Sequence, residues 1–181
     1  MDLTKPPAGL GIHGRLSLTV LRPDGTIRDR RDGDNTMCTA GLTVIMASLV
    51  WSGIQDQAAS LGVTTPTYLT PLWGAVGSGA GTPAAADTAL FSELGRQTVG
   101  AGASSPATPS LNAQATWLFY FGQPPVTWNI TEAGVFANGT STAGSPSTAG
   151  ILLDHWAVAP SVVVPTTDTL ILQASFALAG M

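Results

Sequence analysis

Leu72-Trp73-Gly74-Ala75-Val76-Gly77-Ser78-Gly79-Ala80-Gly81-Thr82-Pro83-Ala84-Ala85-Ala86-Asp87-Thr88-Ala89-Leu90-Phe91-Ser92-Glu93-Leu94-Gly95-Arg96 is the stretch on which the fold turns. Residues 72–76 are apolar and lie between Pro71 and a run of glycines, as in a short strand. The Gly/Ala/Pro segment after them continues neither strand nor helix at low cost, so a loop starts there. Asp87 precedes Thr88-Ala89-Leu90-Phe91 and is placed to accept the free N–H groups that open a helical turn, so a helix of one or two turns is expected behind it. Strand, glycine loop and helix in that order also begin a phosphate-binding α/β fold. The chemistry for that is missing. After Gly77, Gly79 and Gly81 no glycine is placed to bring a pyrophosphate onto a helix N-terminus, and no Gly-Lys-Ser/Thr ending follows.

Working outward, Leu16, Leu18 and Val20 alternate with Ser17 and Thr19, the period of a half-buried strand, and Arg22-Pro23-Asp24-Gly25 is a tight-turn signal. Thr26 to Arg31 is expected to pair back as a hairpin. Its charged run, Arg28-Asp29-Arg30-Arg31-Asp32, suits an edge that discourages unwanted strand addition. Leu42, Ile45, Met46, Leu49 and Val50 fall at i, i+3, i+4, i+7 and i+8, which predicts an amphipathic helix over about Thr39 to Trp51, ended by Gly53 and packed on the sheets.

On the C-terminal side Gln97 to Gly102 reads as a strand, and Ala113 to Phe121 carries large side chains on both faces, as in a central strand covered on both sides. Thr127 to Phe136, with Gly134 as a bulge, Ile151 to Val158 and Leu170 to Leu178 follow as strands. Ala103 to Ser110 and Asn138 to Gly150 are low-complexity loops. The fold class is mainly β, an antiparallel β-sandwich, jelly-roll-like, with one packed amphipathic helix. The 181 residues form a single domain, with 1–14 an extended N-terminal arm and 15–181 the sandwich.

Charged residues make up 10% of the chain, and eleven of the eighteen lie within the first 35 residues. The following 146 residues carry seven: Asp56, Asp87, Glu93, Arg96, Glu132, Asp154 and Asp168. Faces so poor in charge call for cover by partners. A hydrophobic share of 44% with five tryptophans is too apolar for disorder throughout. A net charge of −4 with one arginine after residue 31 gives no footprint for nucleic acid. Cys38 is the only cysteine, so there is no intrachain disulfide and no thiol zinc site. The longest apolar run, Ala40 to Trp51, is too short for a bilayer of about 30 Å hydrocarbon, and neither membrane insertion nor a signal peptide is expected.

Few residues suggest chemistry. Asp32-Gly33-Asp34-Asn35 lacks the later ligands of a calcium loop and reads as a solvated turn. His13 and His155 stand in no metal-ligand spacing. Asp154 and His155 are adjacent on a strand and point to opposite faces, so that Asp does not orient that His in a triad. Glu93 and Glu132 are the only glutamates, and a carboxylate pair can cleave a glycosidic bond. Glu132, inside Trp128-Asn129-Ile130-Thr131-Glu132-Ala133-Gly134, reads better as a carboxylate that holds loop backbone. Trp51, Trp73, Trp117, Trp128 and Trp156 could stack on sugars, yet such residues more often fill cores and interfaces. No catalytic residue, cofactor or metal is expected.

Four blocks in order, Asn35-Thr36-Met37-Cys38-Thr39-Ala40-Gly41-Leu42, Gly77 to Leu90, Trp128 to Phe136 and Leu152-Leu153-Asp154-His155-Trp156, resemble the minor tail and tail-fibre-like virion proteins of tailed bacteriophages. The resemblance spans about positions 35 to 178. It implies a non-enzymatic structural subunit of the phage particle, a minor tail, tail-tip or baseplate protein whose partners are other virion proteins. The alternatives are a capsid decoration (cement) protein on the head and a receptor- or carbohydrate-binding tail protein. A homo-oligomer is expected, with a trimer preferred. Leu3, Pro6, Pro7, Leu10 and Ile12 in the N-terminal arm are the candidate partner-interface residues, because a flexible segment cannot bury them against itself.

Overall fold

The chain is described from a computed structural model over residues 10–43, 71–99, 114–137 and 150–180. Among these are β1 (Leu10–Leu21), β2 (Ile27–Asp34), β3 (Thr36–Met37), β4 (Pro71–Gly77), β5 (Glu93–Thr98), β6 (Gln114–Gly122), β7 (Trp128–Ala137), β8 (Ile151–Val164) and β9 (Thr169–Gly180). A four-stranded sheet runs β2-β1-β9-β6 and a five-stranded sheet runs β3-β8-β7-β4-β5, with every pairing antiparallel. The two sheets make a β-sandwich. The pairs β1–β9, β3–β8 and β4–β7 are nested in sequence, so the chain folds back on itself about its middle like a rolled hairpin.

The inward residues are those whose alternation marks a half-buried strand. Leu16, Leu18 and Val20 of β1 are fully buried and lie opposite Ala174, Leu172 and Leu170 of β9. Phe119, Ile130 and Val162 close over them from β6, β7 and β8. The β1–β2 hairpin turns where Pro23-Asp24-Gly25 requires it: Gly25 has φ of 82°, Arg22 N–H donates to Thr26 O at 2.8 Å, and the Asp24 carboxylate accepts from Thr26 N at 2.9 Å. β2, with its run of charges, is an edge strand.

Four features differ from the sequence reading. β6 is an edge strand rather than a central one. Phe119 and Phe121 point into the sandwich and Trp117 leans edge-on against Phe176 at 5.4 Å, while Leu118 and Tyr120 on the other face are only half-buried. Second, no helix follows Asp87. Residues 87–92 are irregular and Glu93 enters β5, because the Asp87 carboxylate is engaged elsewhere. Third, the irregularities of β7 fall between Ile130 and Glu132 and between Val135 and Phe136, on either side of Gly134. Gly134 itself is in register, and a Cβ there would stand 2.6 Å from the carbonyl oxygen of Asp154. Fourth, β1 starts inside the segment expected to be a free arm: Leu10 and Ile12 pair with Gly180 and Leu178 of β9. Leu3, Pro6 and Pro7 lie outside the described residues.

The helix opens as expected, with residues 39–43 helical, Leu42 N–H bonded to Cys38 O at 2.9 Å and Leu42 half-buried. Ile45, Met46, Leu49 and Val50 lie outside the described residues. Gly41 seats this turn against β8, since a Cβ there would be 2.5 Å from the Leu153 Cα. No helix among the described residues is long and apolar enough to cross a membrane.

Candidate functional site

A third layer covers the outer side of the five-stranded sheet. Loop 78–92 leaves β4 and returns into β5, and together with the 39–43 turn it encloses a small apolar cluster of Cys38, Ala75, Leu90, Phe136 and Leu152. Glu132 of β7 organises the loop. Its side chain, 2% exposed, accepts hydrogen bonds at Oε1 from Gly79 N (2.9 Å) and Ser92 N (2.7 Å) and at Oε2 from Phe91 N (2.9 Å). Next to it Thr131 Oγ1 donates to Gly79 O at 2.7 Å, and Ser78 N donates to Ser92 O at 2.8 Å, which ties the two ends of the loop together. The glycines follow from this. A Cβ on Gly77 or Gly79 would fall 2.4 or 2.6 Å from Glu132 Oε1, so the glycines leave room for the carboxylate. Burial disfavours ionised Glu132, but His155 and the three backbone donors outweigh it and hold the group below its ordinary range.

His155 of β8 is fully buried and joins Glu132 to the outer part of the loop. Its Nε2 lies 2.9 Å from Glu132 Oε2 and its Nδ1 2.7 Å from Asp87 Oδ2. Asp87 Oδ2 also accepts from Ala84 N at 2.8 Å, and Asp87 N donates to Ala84 O at 3.0 Å. The Phe91 ring covers the imidazole at 4.8 Å between centroids. Burial works against the imidazolium, yet the bonds to Glu132 and Asp87 prevail and raise His155 above the ordinary histidine range.

Asp154 precedes His155 and is turned away from it, as strand alternation requires. It accepts from Val135 N at 2.7 Å and from the Asn35 side-chain amide, and complete burial pushes its carboxyl up to about 7. Cys38 N donates to Leu153 O at 2.9 Å, and Thr39 N to Ala85 O at 2.7 Å, so the 39–43 turn is tied to both β8 and loop 78–92. Burial pushes the Cys38 thiol up to about 12. In β5 an extra residue opposite Val76–Gly77 brings Glu93 and Arg96 to one side, where they form a buried two-point ion pair at 2.7 and 2.6 Å. The Arg96 guanidinium lies over the Phe136 ring at 4.2 Å.

This arrangement clasps; it does not present a reactive group. Both oxygens of Glu132 are filled by donors and both nitrogens of His155 are taken by carboxylates, so each group's hydrogen-bonding capacity is spent within the protein. Among the described residues no group of three or more His, Cys, Asp or Glu side chains is arranged to hold a metal ion. His13 is remote from the cluster, in a groove of about 540 Å³ on the outer face of the four-stranded sheet with Arg15, Arg30, Asp32 and Asp34. There Asp32 pairs with Arg30. Of the five candidate interface residues, Leu10 and Ile12 lie in β1 opposite Gly180 and Leu178, and Leu3, Pro6 and Pro7 lie outside the described residues.

Neither a protein-family model nor a curated protein nor a solved structure matches this chain. Each of the four sequence blocks nevertheless sends residues into the same outer layer. Cys38 and Gly41 come from the first, Gly77, Gly79 and Asp87 from the second, Glu132 and Gly134 from the third, and His155 from the fourth, while Asn35 and Asp154 meet on the other face of the sheet. The union of Asp87, Glu132 and His155 was not read from the sequence. Its one sequence signal is that each of the last three blocks brings ionisable side chains into a region nearly devoid of them.

Proposed function

We propose that this chain is a non-enzymatic structural subunit of a tailed bacteriophage particle, a minor tail protein of the tail tip or baseplate that works packed against other virion subunits. The blocks that resemble tail proteins supply the particle. The distribution of charge carries the assembly role. Beyond residue 35 every described charged side chain is buried or held in an ion pair: Glu132, Asp154, Asp168 and Arg96 are buried, Glu93 is 4% exposed at its side chain, and Asp87, 16% exposed at its side chain, is bound to His155. The exposed charges, Arg15, Arg22, Asp24, Arg28, Arg30, Asp32 and Asp34, all lie on the β1–β2 hairpin.

The rest of the described surface is therefore formally neutral, with Phe91 47%, Val126 61% and Val163 52% exposed. A repeated subunit that is covered by neighbours in its working state has this surface, and a free monomer is poorly served by it. The filled hydrogen-bond set of Glu132 supports a holding role over a glycosidase role, because a general acid or nucleophile needs an oxygen free to meet the sugar.

The test is the protein content of gradient-purified particles. The expected result is this chain at a constant multiple of the major tail subunit. Its recovery only in the soluble fraction of the lysate would remove the proposal, and labelling on the head instead of the tail would replace it by the decoration role.

A further inference from the structure

We infer that His155 is a proton-operated latch: with protons on both ring nitrogens it clamps the 84–88 turn of loop 78–92 to β8, and on giving one up it lets Asp87 go while Glu132 keeps the ends of the loop in place. The inference does not depend on where the protein works. It starts from the inventory of donors and acceptors. Ionised carboxylate oxygens accept and do not donate, and His155 meets one at each nitrogen, at 2.7 and 2.9 Å. Two acceptors need two N–H groups, which only the imidazolium has. A neutral imidazole must point a lone pair at one of the carboxylates.

Asp87 is the partner that gives way. The Glu132 side chain is 2% exposed and retains three backbone donors without His155, whereas the Asp87 side chain is 16% exposed and retains one, Ala84 N. Water can reach Asp87 and cannot reach Glu132, so the neutral ring keeps its proton on Nε2. Beyond its contact with His155, the 84–88 turn is tied to the body through Ala85 O, which accepts from Thr39 N at 2.7 Å. Release of Asp87 therefore loosens the turn and the start of the 39–43 helical turn together. Gly79, Phe91 and Ser92 stay on Glu132.

The groups that bear on His155 from the surrounding elements are Glu132 of β7, Asp87 and the Phe91 ring of the loop, Asp154 beside it on β8, and the Cys38 thiol ahead of the helical turn. The thiol stays neutral over the working range, since burial pushes it up to about 12. Asp154, which ionises at about 7, adds negative charge nearby and favours the imidazolium as pH rises. Burial opposes it, and the two carboxylates prevail, so the latch opens on the alkaline side of the ordinary histidine range.

The experiment uses the full chain with 15N-labelled histidine, and a His13→Gln variant assigns the two rings. Ring nitrogen shifts and amide-exchange protection are followed from about pH 5 to about pH 9. At the acid end both His155 nitrogens are expected to carry protons. When one is lost, protection at Thr39, Ala84 and Asp87 is expected to fall with the same midpoint, while Gly79, Phe91 and Ser92 stay protected. Asp87→Asn, a partly exposed change, is expected to lower the His155 midpoint and to abolish the pH dependence at Thr39. The inference is overturned by a singly protonated ring under conditions where Ala84 and Asp87 are protected, by protection at those amides that ignores the titration, or by simultaneous loss at all six amides. It is equally overturned if Asp87→Asn leaves the midpoint where it was.

Discussion

Replacing Glu132 by Gln tests the clasp with almost no change of shape. The Gln Oε1 can still accept from Gly79 N and Ser92 N, but an NH2 group now stands where Oε2 received Phe91 N and His155 Nε2, both at 2.9 Å. His155 has a way out, because it can drop a proton and accept from the amide, at the loss of a charge-assisted bond worth about 1.5–3 kcal/mol. The Phe91 N–H has none. It is left facing a donor, and an unmet buried donor costs about 1–3 kcal/mol. The two losses together give about 2.5–6 kcal/mol, which brackets the roughly 3–5 kcal/mol found when one partner of a buried ion pair is removed. Urea unfolding at about pH 6, followed by tryptophan fluorescence, measures it as a fall in the midpoint at unchanged slope. A loss under about 0.5 kcal/mol would refute the account of Glu132 as the residue that holds loop 78–92.

Gly41→Ala places a Cβ 2.5 Å from the Leu153 Cα, a backbone atom that cannot swing aside, and is expected to cost about 1–3 kcal/mol in the same assay. Arg96→Met leaves the buried Glu93 charged and without its Arg96 partner, and a loss of about 3–5 kcal/mol is expected, with Glu93→Gln in the same chain recovering part of it. Stability is also expected to peak in mildly acid solution. Asp154 is raised from 3.8 to about 7 on folding, so its contribution is complete below 3.8 and declines as pH rises toward 7, and His155, raised from 6.5, adds a loss above 6.5. Glu132, lowered from 4.5, acts the other way, its contribution being present above 4.5 and lost as pH falls through its folded value. Urea midpoints that stay flat or rise between about pH 5 and about pH 9 would contradict this, and Asp154→Asn is expected to remove the part of the decline that falls below about pH 7.

The sandwich was legible because its evidence is local. Leu16, Leu18 and Val20 alternate with polar neighbours, Pro23-Asp24-Gly25 forces a turn, and the charges of β2 mark an edge, so each statement rests on residues within a few positions of one another. The rank of β6 within its sheet was not legible. Trp117, Phe119 and Phe121 are as bulky on an edge as in the middle, and what sets their cover is the partner strand β9, more than fifty residues away.

The same division runs through the clasp. Strand alternation separated Asp154 from His155 correctly, and the residues around Glu132 marked it as a carboxylate holding loop backbone. Which loop it holds depends on folding β4, β7 and β8 side by side. Asp87 reads as a helix cap for the same reason. Nearby N–H groups made a helix cap the best local use of its carboxylate, but His155, 68 positions along the chain, binds it instead. Gly77 and Gly79 read as loop formers in the sequence, and their requirement appears only once the carboxylate they admit is in place.

The central claim is that the neutral surface outside the β1–β2 hairpin is covered by neighbouring subunits in a phage particle. A cryo-electron-microscopy reconstruction of the intact particle tests it most directly. The account predicts symmetry-related copies of this sandwich at the tail tip or baseplate, with Phe91, Val126 and Val163 buried against neighbours and the Arg28 to Asp32 edge facing solvent. A map of the complete particle in which no density fits the sandwich, or in which it is attached through the charged hairpin with the neutral faces open to water, would contradict it.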